Sequence, residues 1–224
     1  MPELYKGNTI PSQHLIHALK KIYTNSVYNK MDAPAIYINL DSRTDRKELI
    51  ENELQNLGLK YTRLSATFNP VGLIGCGHSH IRALELALSM DDDKVWIFED
   101  DYEVLHKIDF ANAVNNLPDC DVFLGSYSKW GLELKPIKDT IYSKVLKAQT
   151  TSSYLIKKSY IPTLLHNLKE GVEQLEKTGN KNYSLDIWWK RLQPEGNWIT
   201  TNERCGKQRA SYSDIEKRNV NYEC

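Results

Sequence analysis

Lys94-Val95-Trp96-Ile97-Phe98-Glu99-Asp100-Asp101 is a run of buried-strand character that breaks off into three consecutive carboxylates. Val95 to Phe98 are β-branched or aromatic with no polar interruption, which reads as a central strand covered on both faces. Three acids at the end of such a strand repel one another and lose hydration, so a cation is expected among them, most economically a divalent metal ion. In open α/β sheets ligands collect outside the carboxyl ends of the strands, which is where Glu99 to Asp101 fall. Asp91-Asp92-Asp93 precedes the same strand and so belongs to the opposite edge, as a solvated helix-to-strand turn.

With 224 residues the chain can bury a core without covalent staples. It divides into a helical appendage over residues 1–33 and one domain over 34–224. Lys plus Arg and Asp plus Glu both number 29, giving a net charge of zero. No global field attracts nucleic acid or an anionic membrane, so anion binding has to be local. Cys76, Cys120, Cys205 and Cys224 show no CxxC pair and no histidine at zinc-ligand spacing, and read as reduced thiols of a cytoplasmic protein. No secretory signal is evident, and no stretch approaches the roughly 20 apolar residues of a membrane span. The sequon at Asn182-Tyr183-Ser184 reads as chance.

Along the chain, Ser12 caps a first helix carrying Leu15, Leu19, Ile22 and Tyr23. Pro34 precedes a strand at Ala35 to Leu40. Ser42 and Asp45 have the form of a capping box, and the helix that follows ends at Gly58. Lys60 to Ser65 offers a second strand, so the opening is that of a doubly wound, nucleotide-binding sheet. Gly72, Gly75 and Gly77 supply backbone freedom before a helix expected from about Ser79 to Ser89 and could let phosphates approach its first N–H groups. A helix near Phe110 to Leu117, strands at Cys120 to Leu124 and Thr150 to Ile156, an aromatic loop from Ser126 to Lys138 and a helix at Ile161 to Lys177 complete the pattern. Asp186 stands beside Trp188 and Trp189, and the tail from Arg204 is polar.

Tyr37 to Arg46, Gly75 to His80, Trp96 to Asp101 and Val122 to Gly125, in this order and spacing, resemble the motifs of the lipopolysaccharide and procollagen galactosyltransferase-like enzymes of glycosyltransferase family 25. Ser211 to Ile215 is similar to a segment of some collagen-modifying and viral members. His78 stands where an apolar residue is usual. A viral or bacterial member is implied, in the cytoplasm, or the host cytoplasm if viral.

The resemblance implies a GT-A-like (Rossmann-type) α/β nucleotide-sugar-binding fold, with a central mostly parallel sheet flanked by helices. It implies transfer of galactose or glucose, with inversion, from a UDP-hexose donor to a hydroxyl acceptor on a glycan or protein. Glu99 is assigned to the ribose and, with Asp101, to the metal; hard oxygen ligands select Mn²⁺ or Mg²⁺. Asp100 is placed in the donor-binding set although strand alternation turns it the other way. Asn39, Leu40, Arg43 and Arg46 are expected to line the donor pocket. Ser79 and His80 are either donor contacts or a hydrogen-bonded part of the buried helix face. Asp186 is the candidate general base. Arg209, with Arg204 and Lys207, is expected on a lid over residues 204–215 that neutralises the diphosphate. Two alternatives stay open: a metal-dependent phosphoryl-transfer enzyme or hydrolase, and a non-catalytic sugar-binding relative.

Overall fold

The computed structural model describes residues 33–221. The first helix expected from Ser12, and with it the appendage, lies outside the described residues. β1 (Ala35–Asn39), α1 (Thr44–Asn56), β2 (Tyr61–Ser65), α2 (Gly72–Leu88) and β3 (Lys94–Glu99) open the chain. β4 (Tyr102–Val104), α3 (Lys107–Asn115), β5 (Val122–Leu124), β6 (Glu133–Pro136), β7 (Tyr142–Lys147) and β8 (Ser153–Lys157) follow. Then come α4 (Ile161–Thr178), the short α5 (Leu185–Trp188), β9 (Trp198–Thr201), β10 (Gly206–Gln208), β11 (Ser211–Ser213) and β12 (Arg218–Val220).

An 8-stranded sheet has the order β2-β1-β3-β8-β5-β9-β7-β6. β1 pairs in parallel with β2 and β3, and β5 with β9. β8 is antiparallel to β3 and β5, and β7 to β9 and β6. Of its strands only β8 and β7 therefore run against the common direction, and the expected α/β architecture, a mostly parallel sheet flanked by helices, is what the chain adopts. The expected strand at Thr150 to Ile156 forms, but as the reversed β8 between β3 and β5. β6, within the expected loop, and β10 to β12, within the tail, had no strand signal; the tail strands are three residues long.

Strand alternation distributes the core to two layers. Val95 and Ile97 of β3 join Ile36, Ile38, Ile81 and Leu84 on the face covered by α2 and α4. Trp96 and Phe98 join Tyr37, Ile50, Leu54 and Phe110 on the face covered by α1 and α3. Trp96 stacks on Phe98 at 5.2 Å between ring centroids, and both are fully buried. The chain leaves β1 on one face to reach β2, then returns on the other to reach β3, so the sheet has a switch point between β1 and β3.

Two local expectations change. The Ser42–Asp45 capping box does not form: α1 starts at Thr44 after Arg43, with no side-chain cap, and Asp45 instead takes the Arg43 guanidinium. α2 begins at Gly72, so the glycines lie within the helix rather than ahead of it. Close packing accounts for them. A Cβ on Gly72 would meet Ile215 at 2.9 Å, one on Gly75 would meet the Thr67 carbonyl at 2.7 Å, and one on Gly77 would collide with Val172 of α4. His78, one residue on, pairs with Glu176 of α4 at 2.7 Å on the outside of the same contact.

Gly77→Ala should accordingly lose stability by about 1–3 kcal/mol through overpacking, despite the better helix propensity of alanine. Chemical denaturation measures this; an unchanged or raised midpoint would contradict the close α2–α4 approach.

Candidate functional site

Because β1, β2 and β3 are parallel, their carboxyl ends bring Asn39, Ser65 and Glu99 to one edge, with Asn39 opposite Ser65 and Ile38 opposite Glu99. A cavity opens there, at the switch point. Its lining includes Leu40, Arg46, Thr67, Phe68, Glu99, Asp100 and Asp101, together with Gln208, Ser213, Asp214 and Lys217 from the tail. Asp91, Asp92 and Asp93 are exposed at the other end of β3, as expected.

Asp100 and Asp101 lie in the turn after β3, where alternation no longer applies. This corrects the expectation that Asp100 points away: it lines the cavity with its neighbours and is 8% exposed. Asn39 holds it. The Asn39 amide donates to Asp100 Oδ2 at 2.7 Å and to the Arg43 carbonyl at 3.0 Å, and its own oxygen accepts from Arg63 Nε at 3.0 Å. Asn39 is thus a fully occupied positioning residue. Arg46 places one cation among the acids. Its Nη1 donates to Asp100 Oδ1 at 2.9 Å and Asp101 Oδ2 at 3.1 Å, while Nη2 donates to Ser211 Oγ at 2.7 Å and the Tyr212 carbonyl at 2.8 Å. Arg43 reaches the tail instead, bonding Asp45 and, at 2.6 Å, Asp214.

Glu99 continues the Val95–Ile97 face and so meets α2. His80 Nε2 donates to Glu99 Oε1 at 3.2 Å, Thr151 Oγ1 donates to the same oxygen at 2.6 Å, and His80 Nδ1 is 3.0 Å from the Tyr154 hydroxyl. His80 is therefore a buried bridge that fixes Glu99. Ser79 is likewise held, its hydroxyl donating to the Gly75 carbonyl at 2.7 Å and accepting from Thr67 N–H at 2.8 Å, and both His80 and Ser79 also border the cavity.

The tail folds over the cavity as the β11–β12 hairpin and brings Lys217 to its lining, but Lys207 and Arg209 face elsewhere. Lys207 pairs with Glu103 at 3.6 Å, and Arg209 with Glu53 at 3.4 Å and Glu103 at 3.5 Å. The Arg209 N–H donates to the Asp101 main-chain carbonyl at 2.6 Å, and the Gln208 side-chain amide reaches Asp101 Oδ1 at 3.5 Å. Asp186, half-buried in α5, does not line the cavity; its carboxyl accepts from Thr150 N–H and lies close enough to feel Glu99. Thr67 and Phe68 follow β2 at the same edge and could have been found by the strand-end rule. Thr151, Tyr154 and Gln208 could not, since their placement depends on the reversed β8 and on β10.

Charge is unevenly compensated. Burial would raise the Glu99 pKa, but the His80 hydrogen bond leads the contributions that bring it below the usual value. Asp101 is pushed up to about 7, first by burial and then by Glu99, with Arg46 opposing. Burial also raises Asp100 and, with Glu99, Asp186.

No family model matches the chain, and no curated protein matches it. Among solved structures it is similar to A197 from STIV, with 15% identity, a TM-score of 0.47, and 84% of this chain and 93% of that chain covered. It is also similar to a glycosyltransferase involved in the glycosylation of the major capsid of PBCV-1, at 13% identity, a TM-score of 0.44, and 75% and 80% coverage. The glycosyltransferase GlyE of Streptococcus pneumoniae TIGR4 has 12% identity and a TM-score of 0.43; 85% of this chain covers 43% of that one. These are likenesses of overall shape, and the reading of function rests on the site. Among the described residues no helix is long and apolar enough to cross a membrane.

The raised Asp101 pKa has a stability consequence. Unfolded, the carboxyl titrates near its ordinary 3.8, and folded near 7, so the native state holds a proton that the unfolded state releases. Stability from this group is present below the lower value and lost as pH rises to the upper one. Asp101→Asn should therefore be more stable than the parent at pH 8, by on the order of 1 kcal/mol or more, and gain least near pH 4. Thermal melts across this range check it; an Asp101→Asn variant less stable at pH 8 would contradict the assignment.

Proposed function

We propose that the chain is a metal-dependent glycosyltransferase that moves a hexose, galactose or glucose, from a UDP-sugar to a hydroxyl on a glycan or protein, with inversion. The observation that carries this reading is the convergence of the β1–α1 turn, the first half of α2 and the acidic end of β3 on one cavity at the sheet's switch point. Open α/β sheets bind nucleotides in that place. The resemblance to glycosyltransferase family 25 falls on these same segments.

A divalent ion fits the donor set. Asp101 is held near 7 by burial and by Glu99, so the carboxylates lack positive charge even with Arg46 among them. Glu99 and Asp101 would hold Mn²⁺ or Mg²⁺ through hard oxygen atoms. Such an ion offsets the negative charge that develops on a UDP leaving group. Asn39 and Arg46 fix Asp100 for contact with the donor, and His80 with Thr151 fixes Glu99. Leu40 and Phe68 give apolar surface to the base. The β11–β12 hairpin, held by Arg43 and Arg46, screens the donor from water. Asp186, beyond Glu99 and raised by burial, takes the proton from the acceptor hydroxyl. A base titrating nearer the working pH suits that task.

Hydrolysis of a panel of UDP-sugars, with and without Mn²⁺, tests the reading. One UDP-hexose should be consumed only with the divalent ion. Asp101→Ala should abolish turnover and Asp91→Ala, at the opposite sheet edge, should leave it unchanged. Asp186→Asn should slow transfer to an acceptor by about 10²–10⁴-fold. Full turnover in excess chelator would end the metal assignment, and no turnover of any UDP-sugar under any of these conditions would favour a sugar-binding protein.

A further inference from the structure

Cys76 and His80 are four residues apart in α2 and so share one face of it. The sequence spacing suggested no zinc ligands, but a helical pair four residues apart is a ligand arrangement once a third donor faces it. Glu99 is that donor. One ligand atom from each of Cys76, His80 and Glu99 lies within 4.8 Å of the others. The 3.2 Å between His80 Nε2 and Glu99 Oε1 already resembles the ligand-to-ligand edge of a tetrahedron whose metal bonds are about 2.0–2.1 Å.

The outer contacts of such a site are in place as well. Tyr154 Oη lies 3.0 Å from His80 Nδ1 and Thr151 Oγ1 lies 2.6 Å from Glu99 Oε1, the kind of partners that orient a ligating imidazole and carboxylate. Asp100 and Asp101 line the same cavity as Cys76, His80 and Glu99, so negative charge surrounds the place where a cation would sit. Cys76 is partly exposed and borders the cavity.

We propose that Cys76, His80 and Glu99 form a site for a borderline-soft divalent ion, Zn²⁺ or Co²⁺, whose fourth position opens on the cavity. Thiolate and imidazole select such ions over Mg²⁺ and Mn²⁺. The preference therefore differs from that of the hard Glu99–Asp101 pair. On binding, the Cys76 thiol proton passes to solvent, and His80 presents the Nε2 lone pair while Nδ1–H donates to Tyr154 Oη. Because Glu99 belongs to both ligand sets, zinc bound here removes a residue from the proposed donor site and acts as an inhibitor. The inhibition rests on the transferase reading; the ion binding does not.

Titration of the full chain with Co²⁺, without nucleotide, tests the site. A single equivalent should bind with a thiolate-to-cobalt charge-transfer band and intense tetrahedral d–d bands, all erased by Zn²⁺. Cys76→Ser should lose the charge-transfer band and weaken Zn²⁺ binding at least about tenfold. In the unsubstituted chain, Zn²⁺ should protect Cys76 from alkylation as read by peptide mass spectrometry, a result that needs no variant to fold. Cobalt bound without the charge-transfer band, an unaltered Zn²⁺ affinity in Cys76→Ser, or Cys76 alkylation unaffected by zinc would each overturn the proposal.

Discussion

The fork of Arg46 holds the acidic end of β3 and the C-terminal hairpin together. One of its nitrogens is shared by Asp100 and Asp101, and the other binds Ser211 and the Tyr212 carbonyl. A guanidinium suits this because its donors are planar and divergent and it stays charged when buried. Burial alone would favour the neutral form, yet Asp101 and Asp100 raise its pKa above the usual arginine value. Removing one partner of such a buried group leaves the others uncompensated, the costly way to break an ion pair. One side chain from the first turn of α1 thus ties the cavity's floor to its cover, which Arg43 also holds through Asp214.

Arg46 does not balance the site. Glu99 interacts with Asp100, Asp101 and Asp186, while His80, Arg46 and Lys190 oppose this negative charge. Burial first, and then this excess, hold Asp100, Asp101 and Asp186 above their ordinary pKa, a destabilising arrangement that a packed core would not need. Such local conflict with stability is expected where a site awaits a charged ligand. The proposed divalent ion and nucleotide diphosphate would bring metal charge to the acids and phosphate charge to the arginine, in keeping with both signs of charge at one edge.

Much of the frame was legible because local pattern and tertiary role agree. The uninterrupted Val95 to Phe98 run is a fully buried strand, and the acids at its end lie where strand direction places them. The β1–α1–β2 opening and the position of Glu99 followed from the same rules. Periodicity carries no direction, so the reversal of β8 and the arrival of Thr151 and Tyr154 beside Glu99 and His80 were invisible. Glycine's poor helix propensity delayed the expected start of α2 to Ser79. The packing of Ile215, Thr67 and Val172 against Gly72, Gly75 and Gly77 overrides it. Arg46 was assigned to the donor pocket, but its pairing with acids 54 and 55 positions away leaves no local mark. The basic residues of the tail cluster in sequence, but Glu53 and Glu103, from other elements, capture Lys207 and Arg209 and turn them from the cavity.

On the proposed function, the acidic end of β3 receives a divalent ion and a nucleotide diphosphate together. Calorimetric titration of the full chain with UDP, in Mn²⁺ and in chelator, tests this most directly. Each ligand should tighten the other by the same factor, on the order of 5- to 150-fold, because coupling between two binding events is reciprocal. UDP affinity that is indifferent to Mn²⁺, or no binding of UDP under either condition, would contradict the account.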